Sequence, residues 1–153
     1  MIYPYFDAPL DIRYDREASV VLGKDHWRVL RSYRFMLSAN QWLAVEAGTL
    51  TDGGSIPKLL HGVVSPWGQF GQAYVTHDQG CEYLSLTVGG KPYSISRERC
   101  DSLLYVAMQV LHGTDRDICE VRAGVDFYRH AAGVNLPSNT ALKRSLEANW
   151  SDS

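Results

Sequence analysis

Three short stretches of this sequence carry residue types that could do chemistry. The first, Thr51-Asp52-Gly53-Gly54-Ser55-Ile56-Pro57, combines an acid, paired glycines, a hydroxyl and a proline. The second is His77-Asp78 and the third is Asp101, and both lie within apolar stretches where an acid or an imidazole needs a partner. We expect the three stretches to converge on one polar site.

The residue types suggest a division of roles at such a site. An imidazole held by a carboxylate has a fixed tautomer and orientation, which suits a general base or a metal ligand. We therefore assign His77 the role of base or ligand, with Asp101 as the first candidate for its orienting acid and Asp52 as the second. Adjacent helical residues point about 100° apart, so Asp78 would face the loop or join His77 in holding a divalent metal. The alternative is that His77 is a core histidine satisfied by a hydrogen bond.

The loop from Asp52 to Pro57 also has two interpretations. Asp-Gly-Gly-Ser between a strand and a helix is good turn chemistry, and Asp52 or Ser55 could simply cap the helix that follows. In the functional interpretation, glycine N–H groups line an anion or oxyanion pocket while Asp52 or Ser55 contacts the substrate. Ser55 is a candidate nucleophile, although its surroundings are not a GxSxG elbow.

The elements that must position these residues change type along the chain. Alternating apolar and polar residues up to Gly48 predict an antiparallel meander, and 3.6-residue spacing after Pro57 predicts helices. Ser96 is the expected N-cap of one helix, and Arg97 and Arg99 before Asp101 are expected to pair with acids. The predicted strands are 19–22, 27–37 and 42–47, and the predicted helices are 56–64, 69–84, 96–111, 114–132 and 139–150, with a loop or small hairpin at 87–92.

Strands followed by helices predict an α+β fold, an N-terminal antiparallel β-meander followed by a helical C-terminal half. The 153 residues are expected to form a single domain, 1–153, strand-rich over 1–50, with the motif loop at 51–57 and helices over 58–150. The three cysteines, Cys81, Cys100 and Cys119, have apolar neighbours and no CxxC spacing, so we expect small buried thiols in a reducing compartment rather than the alternative, a disulfide or a zinc site.

Composition excludes several functional classes. A net charge of −2 with no Lys/Arg run gives no reason to expect nucleic-acid binding. No apolar run approaches the roughly 20 residues of a membrane span, and the N-terminus lacks a signal-peptide pattern. The expected location is therefore a cytoplasm or a particle assembled there, without secretion by a signal peptide.

The motifs, taken together, resemble a family of small phage and prophage proteins, the domain of unknown function numbered thirteen fifty-three. The resemblance runs from Trp42 to Gly124, although the family often has a Leu-Tyr pair soon after His-Asp where this chain has Gln79 to Tyr83. The matching residues are Thr51, Asp52, Ser55, Ile56 and Pro57; Ala73, His77 and Asp78; Tyr83; and Ser96, Arg97 and Asp101.

This resemblance implies a phage or prophage origin and a polar pocket, so the expected location becomes a host cytoplasm or a virion. A His-Asp helix with an aspartate on the next helix is also similar to the arrangement in secreted phospholipases A2, whose glycine-rich calcium loop and disulfides have no counterpart here. The first hypothesis is a hydrolase-like protein acting on cell-wall or lipid material. The second is a structural or accessory virion protein, perhaps of the tail, associated with other virion proteins, and the third is an effector that binds a host protein.

Overall fold

Two antiparallel sheets and five helices make up the part of the chain that the computed structural model describes, residues 2–53, 67–132 and 140–151. The strands are β1 Tyr5–Phe6, β2 Ile12–Tyr14, β3 Trp27–Val29, β4 Tyr33–Ser38, β5 Gln41–Val45, β6 Leu50–Thr51, β7 Ser85–Val88 and β8 Lys91–Ser94. The helices are α1 Arg16–Leu22, α2 Gly71–Tyr83, α3 Arg97–Val110, α4 Asp115–Ala132 and α5 Ala141–Ala148.

The larger sheet has the strand order β1-β4-β5-β7-β8. Strands β4 and β5 form a hairpin in which Phe35 lies opposite Leu43, and both side chains are buried because period-two alternation sends them to the same face. Strand β5 then pairs with β7, which comes from the helical half of the chain. The expected loop or small hairpin at 87–92 is the β7–β8 hairpin, which turns at Gly89 and Gly90.

The smaller sheet has the strand order β2-β3-β6, and its strand β3 is formed by the first residues of the predicted long strand 27–37. That stretch is two strands: β3 pairs with β2 and β6, whereas β4 pairs with β1 and β5. The alternation of apolar residues is the same before and after the break, because each sheet buries one face. The prediction of one continuous strand was therefore wrong.

Residues 19–22 were predicted to be a strand, and they are helical instead. Helix α1 begins after Asp15, whose side chain accepts a hydrogen bond from the N–H of Ala18, and it ends at Gly23 in the left-handed region with φ 80°. Val20 and Val21 are 74% and 52% exposed, so their β-branched side chains are not core residues of a sheet. Capping at both ends outweighs their strand propensity here.

Helices α2, α3 and α4 form close to their expected positions. Ser96 caps α3 as predicted, accepting a hydrogen bond from the N–H of Arg99. The predicted helix 56–64 lies outside the described residues. The α+β class is confirmed, with antiparallel sheets from the N-terminal half and helices in the C-terminal half.

The core lies where α2 packs against the larger sheet, α3 packs against α2, and α4 packs against α3. It contains large side chains from each of these elements: Tyr33, Phe35, Leu43, Val45, Tyr74, Val75, Leu104, Met108, Val121 and Val125. Helix α5 contacts the smaller sheet, where Glu147 accepts a hydrogen bond from the N–H of Leu50. It also contacts α2, where Lys143 forms an ion pair with Glu82. The prediction of three buried thiols was wrong for Cys119, which is exposed on α4. None of the described helices is both long enough and apolar enough to cross a membrane.

Candidate functional site

Helices α2 and α3 lie side by side and position the residues of the candidate site. Their close approach depends on Gly80, because a Cβ atom there would lie 2.7 Å from Sγ of Cys100 and 3.2 Å from Cδ1 of Leu43. His77 is in the middle of α2, and Asp101 is in the second turn of α3. A side chain at position 80 would therefore require Cys100, or the packing of α2 against α3, to shift.

The predicted contact between His77 and Asp101 is present. Nε2 of His77 lies 2.6 Å from Oδ1 of Asp101, and Nε of Arg97 donates to the same oxygen at 3.1 Å. The three side chains are 4%, 0% and 6% exposed, respectively. Arg97 and Asp101 are four residues apart and face each other along α3, so the expected pairing of Arg97 with an acid is also present.

The charge states of this group follow from its surroundings. Burial would lower the pKa of His77, but the neighbouring sulfur of Cys81 and the carboxylate of Asp101 act in the opposite direction and the net result is a raised pKa. Burial would raise the pKa of Asp101, but the hydrogen bond from His77 and the charge of Arg97 hold it below its usual range. Asp101 is therefore a carboxylate, and it is the acceptor that orients the imidazole.

Two thiols complete the surroundings of His77, and the sequence patterns alone did not place them there. Sγ of Cys81 lies 3.4 Å from Nε2 of His77 and 3.5 Å from Sγ of Cys100. A hydrogen bond with Cys100 and burial raise the pKa of the Cys81 thiol, so it is neutral near pH 7 and the anion beside His77 is Asp101. The available signal was spacing, because Cys81 follows His77 by four residues and Cys100 precedes Asp101 by one.

The second ring nitrogen of His77 is the one left for other chemistry. The imidazole contacts Asp101 and Cys81 through Nε2, and Nδ1 has no hydrogen-bond partner among residues 2–53, 67–132 and 140–151. A cavity of about 10 Å³ lies beside His77 and Cys100, lined by residues that the structure describes. That volume is at the limit of what one water molecule needs.

Asp78 is buried at 6% exposure, and helix geometry turns it about 100° away from His77. Its assignment as a metal ligand together with His77 remains a prediction. Asp52, at the end of β6, forms an ion pair with Lys24. Within the described residues this is the ion pair that its carboxylate makes, so Asp52 does not hold the imidazole. Asp101, and not Asp52, is the partner of His77. Ser55 lies outside the described residues.

The other oxygen of Asp52 is nevertheless unusual. Oδ1 is buried and has no hydrogen-bond partner among the residues that the structure describes. The backbone beside it is a tight turn, in which the N–H of Gly53 donates to Oγ1 of Thr51 at 3.3 Å and Gly53 has φ 95°. A glycine suits this left-handed conformation, so the start of the motif loop is shaped by local backbone chemistry.

The family predicted from the sequence is confirmed by comparison with known families. Residues 27–118 match the family model described as Protein of unknown function (DUF1353). The match covers more than half of the 153 residues, and the chain belongs to this family. No curated protein and no solved structure matches the chain at a significant level.

Proposed function

We propose that this protein is a hydrolase-like enzyme in which His77 acts as general base. The hydrogen bond between Nε2 and Asp101 carries the proposal, because it fixes the imidazole and leaves Nδ1 to accept a proton from a water molecule or a substrate hydroxyl. Because the pKa of His77 is raised to about 9, the neutral imidazole that acts as base forms at alkaline pH, and the rate should rise as pH approaches that value. Asp101 is the positioning acid, and Arg97 holds it in place.

The motif loop supplies the remaining roles in this proposal. Asp52 and Asp78 bind a divalent metal or position the substrate, and Ser55 contacts the substrate. Oδ1 of Asp52, which has no donor among the residues that the structure describes, supports this assignment, because a buried carboxylate oxygen without a donor is costly and suits a ligand or a cation. We assign cell-wall or lipid material as the substrate class and a phage or prophage as the source, on the strength of the motif resemblances.

Hydrolysis of labelled phospholipid vesicles and of labelled peptidoglycan tests the proposal, with and without added divalent metal. The informative variant is His77→Gln, and the matched control is His26→Gln. His26 is equally buried, but its Nδ1 contacts the carbonyl oxygen of Lys24 in a different part of the fold. Loss of a general base lowers kcat by about 10²- to 10⁴-fold. We expect that loss for His77→Gln and not for the control, whereas wild-type protein inert on every substrate would contradict the proposal.

A second candidate function is supported by the burial of the same residues. In a structural virion protein, His77 and Asp101 would lock α2 to α3, and their 4% and 0% exposure suits that role. This candidate expects His77→Gln to lower Tm without changing any catalytic rate. It also expects the chain in purified particles, so mass spectrometry of virions that detects none of it would exclude the virion role.

A further inference from the structure

The thiols of Cys81 and Cys100 and the imidazole of His77 form a compact set of soft donor atoms. One ring nitrogen of His77 and the two Sγ atoms all lie within 4.8 Å of one another, and all three residues are buried. Cys81 and His77 are on the same face of α2, one turn apart, and Cys100 reaches them from α3 across Gly80. The set therefore joins two helices at the point where they approach most closely.

We propose that His77, Cys81 and Cys100 form a binding site for a thiophilic divalent ion of the zinc class. The ligand atoms are Nε2 of His77 and the two Sγ atoms. Oδ1 of Asp101, which is 2.6 Å from Nε2, is the nearest oxygen donor for the fourth position. Two sulfurs with one imidazole favour zinc over magnesium or calcium, which prefer oxygen ligands.

The distances between the donor atoms fit a tetrahedral site. Metal–sulfur and metal–nitrogen bonds of about 2.3 Å and 2.0–2.1 Å imply a sulfur–sulfur edge of roughly 3.8 Å and a sulfur–nitrogen edge of roughly 3.6 Å. The measured edges are 3.5 Å between the two Sγ atoms and 3.4 Å between Sγ of Cys81 and Nε2. Widening these two edges by about 0.2–0.3 Å, which is small against ordinary side-chain motion, brings the three atoms to coordination geometry. For Asp101 to take the fourth position, the 2.6 Å between Nε2 and Oδ1 must widen to roughly 3.4 Å.

The charges around the site also balance. Binding displaces the thiol protons of Cys81 and Cys100 and any proton on Nε2 to solvent, leaving two thiolates and a neutral imidazole on the metal. The double positive charge of the ion and the positive charge of Arg97 then offset the two thiolates and Asp101. Asp101 loses its bond from His77 but keeps the one from Arg97 at 3.1 Å. The buried group is neutral as a whole, which limits the cost of burying its charges.

This site differs from a metal held by His77 and Asp78, and it does not depend on hydrolysis. An ion on Nε2 replaces the hydrogen bond to Asp101, so it competes with the arrangement that makes His77 a base. If both proposals hold, zinc inhibits hydrolysis. If only the metal site exists, zinc binds to a protein without activity, and the two outcomes are distinguishable.

Titration of the reduced full chain with Co²⁺ and then with Zn²⁺ tests the site. Absorption spectroscopy monitors the titration, and metal analysis after dialysis gives the number of ions bound per chain. We expect one ion per chain, and the Co²⁺ form should show the sulfur-to-cobalt charge-transfer absorption of two thiolates. Zn²⁺ should displace Co²⁺ and abolish this absorption. Cys81→Ser and Cys100→Ser are expected to weaken binding by more than about 100-fold, beyond the loss caused by removing a supporting group.

The matched controls are Cys119→Ser, which removes the exposed thiol of α4, and Asp78→Asn, which removes the alternative ligand. Both should retain the ion and its spectrum. Loss of binding in Cys119→Ser, or retention in Cys81→Ser, would overturn the proposal. Should the core serine variants fail to fold, the spectrum of Cys119→Ser decides alone, because absorption from fewer than two thiolates rules the site out.

Discussion

Replacing Asp101 with asparagine should destabilise the protein strongly, because it leaves the guanidinium of Arg97 buried without its counter-charge. Arg97 is 6% exposed and Asp101 is fully buried, and the carboxylate accepts hydrogen bonds from both Arg97 and His77. Removing one member of a buried charged pair costs about 3–5 kcal/mol. For a chain of this size, that corresponds to a fall in Tm of roughly 6–20 °C.

A double-mutant cycle separates the unpaired charge from general damage to the core. Arg97→Met on its own leaves the carboxylate of Asp101 with one donor fewer, whereas the Asp101→Asn/Arg97→Met protein contains neither charge. We expect the double variant to be more stable than the sum of the single effects predicts, with a coupling of about 0.5–3 kcal/mol. Urea unfolding followed by circular dichroism and by tryptophan fluorescence measures all four proteins.

The chain contains a matched control for this cycle. Arg116 and Glu120 are also four residues apart on a helix, at 3.3 Å, but the side chain of Arg116 is 88% exposed. Glu120→Gln should change the free energy of unfolding by less than about 0.5 kcal/mol, since exposed pairs contribute little. An Asp101→Asn protein that is as stable as the wild type, or a coupling equal to that of the exposed pair, would refute the reasoning.

Three further predictions concern other parts of the fold. Burial opposes ionisation of Asp15, but its helix-capping hydrogen bond and its arginine partner lower its pKa overall. The stability it contributes is therefore present above about pH 4 and is lost as pH falls through its lowered folded pKa. Asp15→Asn should make Tm depend less on pH between neutral pH and pH 3, and an unchanged slope of Tm against pH would contradict this. Gly80→Ala should cost about 1–3 kcal/mol by overpacking, because its Cβ would lie 2.7 Å from Sγ of Cys100, and Cys100→Ala in the same chain should recover part of the loss in urea unfolding. Thr76→Val should cost about 1–3 kcal/mol of stability, because the hydroxyl of Tyr33, which lies 2.8 Å from Oγ1 of Thr76, loses its acceptor. Adding Tyr33→Phe to this variant should raise Tm again, and a further fall in Tm would show that the Tyr33 hydroxyl has another role.

The amino-acid sequence determined the features that depend on local chemistry. Ser96 was recognisable as a helix N-cap because a hydroxyl that accepts from an N–H three residues ahead needs no distant partner. The apolar stripe of α3 and the turn at Gly89 and Gly90 were likewise readable from spacing and turn residues. The pairing of His77 with Asp101 was inferable because a buried imidazole and a buried carboxylate on consecutive helices each need a partner.

Tertiary structure decided the features in which distant segments meet or local preferences conflict. The valines of α1 have strand propensity, but capping by Asp15 and Gly23 makes the segment helical. The stretch 27–37 divides between two sheets because its partners, β2 and β6 on one side and β1 and β5 on the other, come from other parts of the chain.

The surroundings of His77 show the same limit most clearly. Cysteine is small and apolar enough to be buried or exposed, so composition could not distinguish Cys119 on the surface from Cys81 and Cys100 in the core. The spacing of His77 and Cys81 places them on one face of a helix, but only the packing of α2 against α3 across Gly80 brings Cys100 within reach. Sequence therefore determined which groups need partners, and the approach of two helices decided which partners they found.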